Sequence, residues 1–333
     1  MARIHGISGS TRVLLNGVRP VNGKKPANLE EIEHFLDHYD KILKETEEIL
    51  FRQHESMILQ LDERATRLDR KIQEDIAKRM REVYTHMLEV NNKIETSESL
   101  LWRTGYTIQF WLDDLLSSYR INGPSRNDRI DLNRLQYQKT RAVESKTAVV
   151  KAGCRTLSDN KQFLKEKESF LIGARGEEEV IRQLSFLPDT YHVLNDVNLH
   201  FNRAIYWKKY RRYVKNCQID HVVVGPTGLY LLETKNWRRK NLEIGSENVI
   251  FQVQKANLAL WYHLKDYYWR NERPKIRSVI VSMYGFSKNQ KSDPYINAMT
   301  PDRLCSFIAG RDVLFSESDI HKLIKLIPCR EVY

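Results

Sequence analysis

The sequence has no run of about 18 apolar residues, the length that a membrane-spanning helix needs. Its first 25 residues are basic and contain no acidic residue, yet they lack the apolar core of a secretory signal. We therefore expect no membrane span. We expect residues 1–26 to form a basic, flexible arm.

Cysteine is also scarce. The chain has four cysteines, at positions 154, 217, 305 and 329, and none belongs to a Cys-x-x-Cys pair of the kind that binds zinc or performs redox chemistry. This pattern is typical of a reduced protein, and we expect a cytoplasmic location.

Glycine and proline are missing from Ala27 to Thr104, which permits a long helix. Apolar residues there recur at steps of three and four, as in a coiled-coil seam. We predict a helical, coiled-coil region over residues 27–165. Its stripe needs a partner helix, either from a second copy in a homo-oligomer or from residues 105–170 folded back. The stripe comprises Leu61, Ala65, Leu68, Ile72, Ile76, Met80, Val83, Met87, Val90 and Ile94.

Positive charge is concentrated in the second half of the chain. Residues 171–333 hold 25 Lys and Arg against 17 Asp and Glu, within a formal net charge of +11 for the whole chain. This excess favours a polyanionic partner, with nucleic acid ahead of an acidic membrane surface. The alternative is ordinary solubility charge.

After residue 172 helical and strand patterns alternate, which predicts an α/β fold. The predicted helices are Gly176–Leu187, Val253–Trp269 and Ser316–Ile327. The predicted strands are His192–Val197, a hairpin over residues 219–235, Arg277–Tyr284 and Asp312–Phe315.

The hairpin, IDHVVVGPTGLYLLETK, has apolar arms and charged ends. If it turns at Pro226-Thr227, the numbers of paired residues sum to 453 and Asp220 faces Glu233. Opposed Cβ atoms lie about 4.5 to 5.5 Å apart, and Lys235 projects from the same side as Glu233. Two carboxylates so close repel each other unless a divalent cation joins them. Oxygen ligands without His or Cys indicate Mg²⁺ or Mn²⁺.

This reading depends on the register, since a slip of one residue would move the carboxylates apart. The alternative is a strand end that reaches solvent, where Lys235 forms salt bridges with the acids.

Four pieces in order carry a resemblance: Gly-Ala-Arg-Gly-Glu at 173–177, Ile-Asp-His-Val-Val-Val at 219–224, Glu-Thr-Lys-Asn-Trp at 233–237, and a later Gln. Over residues 168–328 the chain resembles the nuclease-related domain family, a branch of the PD-(D/E)xK superfamily. The resemblance implies a restriction-endonuclease-like mixed sheet flanked by helices, with metal-dependent phosphodiester hydrolysis.

The resemblance also implies roles for individual residues. Asp220 and Glu233 would bind the metal with the backbone carbonyl of Thr234, and Lys235 would serve the attacking water. Glu177 would reach in from the first helix. The glutamine is Gln252 if Val249 replaces the family's proline, and Gln254 is the alternative.

Residues 203–215, RAIYWKKYRRYVK, interleave cations with aromatic residues, which suits contact with phosphates and bases. We name this segment the ribbon. The alternative is a solvated β-ribbon whose tyrosines pack on the domain. Its cations are Arg203, Lys208, Lys209, Arg211, Arg212 and Lys215, and Arg238, Arg239 and Lys240 would extend the same surface.

The sequence thus predicts a metal-dependent nuclease, with DNA favoured over RNA, and a helical region for oligomerisation or regulation. A non-catalytic nucleic-acid-binding module and a coiled-coil scaffold are the alternatives. Residues 6–12, GISGSTR, lack the Gly-Lys-Ser/Thr ending of a phosphate-binding loop, so no nucleotide site is predicted there.

Overall fold

The computed structural model describes residues 1–21, 23–236, 246–266, 275–285 and 294–329. In these ranges no helix is long and apolar enough to cross a membrane. The chain divides into two compact units, which we name the sheet unit, residues 1–37 and 158–333, and the helical unit, residues 38–157.

The helical unit folds back on itself. Its helices are α3 (Tyr39–Thr96), α4 (Leu100–Asn122) and α5 (Arg126–Glu166, up to residue 157), with a 3₁₀ turn at Gly123–Ser125. Three of the predicted stripe residues of α3, Ala65, Ile72 and Val90, are buried, six are half-buried and Met80 is exposed.

Polar contacts join α3 to α5 beside that stripe. His54 Nε2 lies 2.8 Å from the Ala142 carbonyl oxygen, and Lys139 Nζ lies 2.6 Å from Asp62 Oδ1. The stripe therefore has partners within the same chain. The continuous helix expected from Ala27 is interrupted at His38 and again at residues 97–99.

The sheet unit contains a six-stranded mixed sheet in sequential order, which confirms the α/β prediction. β2, β3 and β4 are antiparallel neighbours, while β1 joins β2, β5 joins β4 and β6 joins β5 in parallel. The strands are β1 (Arg3–His5), β2 (His192–Trp207), β3 (Arg212–Gly225), β4 (Gly228–Lys235), β5 (Ile276–Ser282) and β6 (Ile296–Met299).

Helices cover both faces of this sheet, so the central hairpin is apolar on both sides. Leu229 and Leu231 belong to a core with Val253 of α7, whereas Tyr230 and Leu232 belong to a core with Val180 of α6. The described helices of the sheet unit are α1 (Gly9–Gly17), α2 (Leu29–Asp37), α6 (Glu168–Leu184), α7 (Ser246–Leu264), α8 (Leu304–Ala309) and α9 (Glu317–Leu326), with a 3₁₀ turn at Pro301–Arg303.

The strand expected at Asp312–Phe315 is not formed. The backbone N–H groups of Leu314 and Phe315 instead donate to the Pro226 carbonyl oxygen, at 2.8 and 3.0 Å, which holds this segment against the hairpin turn outside any ladder. The sixth strand is β6, which the sequence analysis did not predict.

Residues 1–26 are not simply the flexible arm that their composition suggests. β1 extends the sheet beside β2, and α1 buries Leu14 against Leu164 and Leu171. The short apolar run Val13-Leu14-Leu15 is enough to dock a nine-residue helix, because only one face needs to be covered.

Candidate active site

The hairpin pairs in the expected register. Its paired residues run from His221 and Leu232 to Gly225 and Gly228, and each pair of numbers sums to 453. One further step along the same register brings Asp220 opposite Glu233. Asp220 Oδ2 accepts a hydrogen bond of 2.8 Å from the Thr234 backbone N–H, which fixes this carboxylate across the strand ends.

Lys235 lies against the carboxylates. Its Nζ is 2.7 Å from Glu233 Oε1, and only 9% of the Glu233 side chain is exposed. Burial acts to lower the pKa of Lys235, but the carboxylates of Glu233, Asp220 and Glu177 outweigh it and raise that pKa above its ordinary value. Lys235 is therefore an ammonium ion at neutral pH, which suits it to stabilise negative charge better than to remove a proton.

The environment of Asp220 disfavours its charged form, whereas that of Lys235 favours the charged form. Burial first, then the charges of Glu233 and Glu177, raise the pKa of Asp220 well above its ordinary range. Lys235 and the Thr234 N–H offset this only in part. The site therefore holds more negative charge than its one close ammonium group balances, as a cation-binding site does.

Glu177 reaches this group from α6, as the resemblance implies. Gly176 permits the approach, because a Cβ there would lie 3.1 Å from Asn236 Cβ and 3.4 Å from Thr234 Cγ2, at the end of β4. Burial raises the pKa of Glu177, although hydrogen bonds from Ser10 and Ser8 act to lower it.

Ser10 contacts Glu177, although nothing in the sequence indicates this contact. Its Oγ donates to Glu177 Oε1 at 2.5 Å and its backbone N–H donates to Glu177 Oε2 at 3.1 Å, so one residue holds both carboxylate oxygens. Ser10 lies in the first turn of α1, after the N-cap Ser8. The start of a helix favours negative charge. The GISGSTR stretch therefore binds a carboxylate, that of Glu177 on α6.

Two further polar contacts fasten α1 beside the site. Thr11 Oγ1 donates to Glu178 Oε1 at 3.0 Å, and Arg12 forms a salt bridge with the buried Asp196. Asp196 also accepts a bond of 2.6 Å from Gln218 Nε2. A serine N-cap before a short amphipathic segment is a sequence signal that could have predicted α1. The sequence does not show which residues α1 contacts.

The two candidate glutamines have different surroundings on α7. The Gln254 side-chain oxygen accepts bonds from Lys209 Nζ at 2.9 Å and Tyr210 OH at 2.7 Å, which joins α7 to the ribbon. Gln252 is exposed. Gln254 thus has a structural contact, and Gln252 stays a prediction for the site.

The ribbon is the end of the β2–β3 pair and turns at residues 208–211. Tyr206 and Tyr213 are exposed cross-strand neighbours, whereas Trp207 is buried and Tyr210 packs beside it against the core. The cations Arg203, Lys208, Lys209, Arg211, Arg212 and Lys215 are all exposed. Arg238, Arg239 and Lys240 lie outside the described residues.

The donor set fits a hard divalent cation. In the ranges that the structure covers, no group of three or more His, Cys, Asp or Glu side chains is placed to hold a metal ion. Mg²⁺, however, needs only one or two carboxylates beside waters and phosphate oxygens. Asp220 and Glu233 supply two, and the buried Thr234 Oγ1 has no hydrogen-bond partner among the described residues.

Comparison with known families agrees with this geometry. Residues 172–283 match the family model described as a nuclease-related domain. This match runs from α6 to the end of β5 in the sheet unit. The match to the nuclease-related domain confirms the resemblance and includes Glu177, Asp220, Glu233 and Lys235, whereas α1 with Ser10 lies outside it.

One curated relative extends the comparison. An uncharacterised protein of Bacillus anthracis is 39% identical over 66 residues, which are 20% of this chain and 26% of the relative. The chain therefore spans about a quarter of the length of the curated relative that it matches.

Proposed function

We propose that this protein is a divalent-metal-dependent nuclease that hydrolyses phosphodiester bonds in nucleic acid, with DNA as the preferred substrate. The observation that carries the proposal is the set of like charges at the hairpin end, where burial and the charges of Glu233 and Glu177 raise the pKa of Asp220 beside a single close ammonium group. A strongly perturbed carboxylate beside other carboxylates is a candidate for a functional site.

In the proposed reaction each residue of the site has a separate role. Asp220, Glu233 and the Thr234 carbonyl would hold Mg²⁺ or Mn²⁺, which when bound polarises a phosphate oxygen and acidifies water. Lys235, as an ammonium ion, stabilises negative charge that develops on the phosphate and positions the water. Glu177, held by Ser10, supplies the third negative charge, and Gln252 is a candidate for orienting substrate.

Substrate binding would use the exposed cations of the ribbon. They neutralise backbone phosphates without reading sequence, and they sit in the half of the chain that holds most of the excess positive charge. The four cysteines are free thiols, which suits a cytoplasmic, reducing compartment as the place of action.

The decisive experiment is a cleavage panel. Purified full-length protein is incubated with single- and double-stranded DNA and RNA in Mg²⁺, Mn²⁺, Ca²⁺ or EDTA, beside Lys235→Ala and the surface control Lys322→Ala. We expect cleavage of DNA with Mg²⁺ or Mn²⁺, a loss of at least about 100-fold in Lys235→Ala, and no change in Lys322→Ala. Equal cleavage by all three proteins would overturn the site.

A second candidate is a nucleic-acid-binding module that does not cut. It is favoured by the lack of any three-residue metal cluster in the described residues. It predicts tight, salt-sensitive binding, no cleavage with any metal, and no heat of Mg²⁺ or Mn²⁺ binding by titration calorimetry.

For the helical unit we propose self-association through α4. Six of its large apolar residues lie on one stripe of the helix and are exposed, while Asp113, on another face, is buried beside α3. The stripe offers on the order of 1,000 Å² with its neighbours, close to the roughly 800 Å² per partner of a stable interface. Its residues are Leu101, Ile108, Trp111, Leu112, Leu115 and Tyr119.

Sedimentation of the full chain tests this association. We expect an oligomer at micromolar concentration, and a monomer for the double variant Trp111→Glu with Leu115→Glu. Tyr137→Glu, which changes an exposed aromatic residue of α5, is the matched control and should remain oligomeric. A monomeric parent protein would refute the proposal.

A further inference from the structure

A cavity of about 870 Å³ lies where the ribbon, α7 and strands β5 and β6 meet. Trp207, Trp261 and Tyr295 contribute aromatic walls, and Leu258, Ile276 and Ile296 contribute aliphatic ones. Tyr295 is 85% exposed, so solvent reaches this side of the cavity. Neither Asp220 nor Glu233 belongs to its lining.

The polar groups of the cavity are few and specific. Lys209, Gln254, Asn257 and Ser278 line it, and no acidic residue is among its described lining residues. Asn257 Nδ2 donates to Ser278 Oγ at 2.9 Å. Aromatic walls with a few amide and hydroxyl groups are typical of pockets for flat heterocyclic ligands. Nucleobases are such ligands, since every base has a face that stacks on an aromatic ring.

The wall that the ribbon contributes is held in place before any ligand binds. Trp207 packs on Tyr210 and Phe251, with ring centroids 4.3 and 5.1 Å apart. Lys209 Nζ and Tyr210 OH both donate to Gln254 Oε1, which ties the ribbon turn to α7. A preformed aromatic pocket loses less conformational entropy on binding than a mobile one.

Charge gives the pocket a second property. Lys208, Arg211 and Arg212 are exposed at the turn of the ribbon; Lys208 lies between the lining residues Trp207 and Lys209 in the chain, and Arg212 pairs with Trp207 across the two strands. A ligand that enters with a flat ring therefore meets cations that suit a phosphate. Base and phosphate together make a nucleotide unit.

We propose that this cavity binds one unpaired nucleotide of a nucleic-acid strand, with its base against Trp261 and its phosphate against the ribbon cations. The proposal rests on the proposed nuclease function, because it assigns a strand-binding site to the same domain. It makes single-stranded or locally unpaired nucleic acid the preferred ligand. A free nucleotide shares this chemistry, and the experiment separates the two sources.

The test measures binding by the full-length protein in EDTA, where a metal-dependent enzyme does not cut. The probe is a short DNA strand with a central 2-aminopurine, used alone or in a duplex, and the competitor is deoxyadenosine monophosphate. We expect 2-aminopurine emission to fall on binding because it stacks on an indole. We expect the single strand to bind at least about ten-fold more weakly to Trp261→Ala than to the parent protein. The affinity for the duplex should be the same for both proteins.

Trp261→Tyr should keep most of the affinity because it keeps an aromatic face, and Phe186→Ala, an exposed aromatic outside the cavity, should change nothing. Competition by the mononucleotide at concentrations that match the strand would make the free nucleotide the ligand. Unchanged 2-aminopurine emission with the parent protein, or equal strand affinity for Trp261→Ala, would overturn the proposal. Strand binding in EDTA, together with no cleavage in the Mg²⁺ and Mn²⁺ arms of the cleavage panel, would overturn the nuclease function but not the pocket.

Discussion

Each unit contains an aspartate that is at least half-buried, and the two aspartates have different neighbours. Asp113 of the helical unit accepts a bond of 2.7 Å from Arg120 Nη1 and lies 3.1 Å from His86 Nε2. Asp220 of the sheet unit is half-buried beside two other carboxylates and receives one backbone N–H. The first charge has partners that satisfy it, whereas the second is crowded by charges of its own sign.

This difference indicates a structural role for Asp113 and a functional role for Asp220. A buried carboxylate with a guanidinium partner helps to fix how helices pack, and its loss leaves a cation unpaired. A carboxylate among carboxylates opposes folding at neutral pH, so its presence makes sense only if another process gains from it. Exchanging each aspartate for asparagine therefore tests the distinction directly.

The largest effect is expected from this pair of variants. Asp220→Asn should lower DNA cleavage at least about 100-fold because a metal-binding charge is lost, yet raise the free energy of unfolding by about 1 kcal/mol at pH 7. Asp113→Asn should leave cleavage intact and lower the free energy of unfolding by roughly 2 kcal/mol. Cleavage assays and urea denaturation measure both quantities.

The pH dependence of the Asp220→Asn gain follows from the sign of the pKa shift. Because the pKa of Asp220 is raised in the folded protein, its ionised form disfavours folding above that pKa and has no effect below the unfolded value. The gain should be full above the raised pKa and vanish as pH falls toward the ordinary value of a carboxylate. A gain that is constant with pH would mean that charge repulsion is not its cause.

An intermediate effect is expected at Ser10. Ser10→Ala removes the hydroxyl bond to Glu177 but keeps the backbone bond, and we expect cleavage to fall about ten-fold because Glu177 is less well positioned. Ser10→Thr retains a hydroxyl and should restore most of the activity. Failure of threonine to rescue, with both variants equally stable, would assign Ser10 to packing alone.

The smallest effect is expected in the pH profile of cleavage. The acid side of the profile should fall as Asp220 takes up a proton, at a pH above that of an ordinary carboxylate, because its pKa is raised. Glu177→Gln removes one cause of that shift. The acid side of the profile for the remaining activity should therefore move to lower pH. Glu178→Gln alters the neighbouring residue on α6, and its profile should match that of the parent.

Local patterns were enough to predict the centre of the site. A Gly-Pro-Thr-Gly turn between two apolar arms suggests a two-residue turn at Pro226-Thr227, and the structure has the register that this turn predicts. Gly228 has a φ of +134°, a conformation that glycine adopts readily, which ties the turn to that residue. Asp220, Glu233 and Lys235 followed from the register.

Contacts between distant parts of the chain were not predictable in this way. Ser10 and Glu177 are 167 residues apart, and no period or spacing in the sequence links them. The ribbon was predicted in outline, but alternation along β2 turns Trp207 inward and leaves Tyr206 outside, a distinction that composition alone cannot make.

The bond between Ser10 and Glu177 also bears on how the protein is made. A contact across 167 residues closes a long loop, and α1 can dock only after α6 has been synthesised. β1 must wait longer still, since its partner β2 begins at His192. During synthesis the first residues therefore remain unpaired while the helical unit emerges, and the carboxylate cluster cannot form before Glu233 of β4 has been made. We therefore expect a nascent chain to lack the proposed site until β4 has left the ribosome.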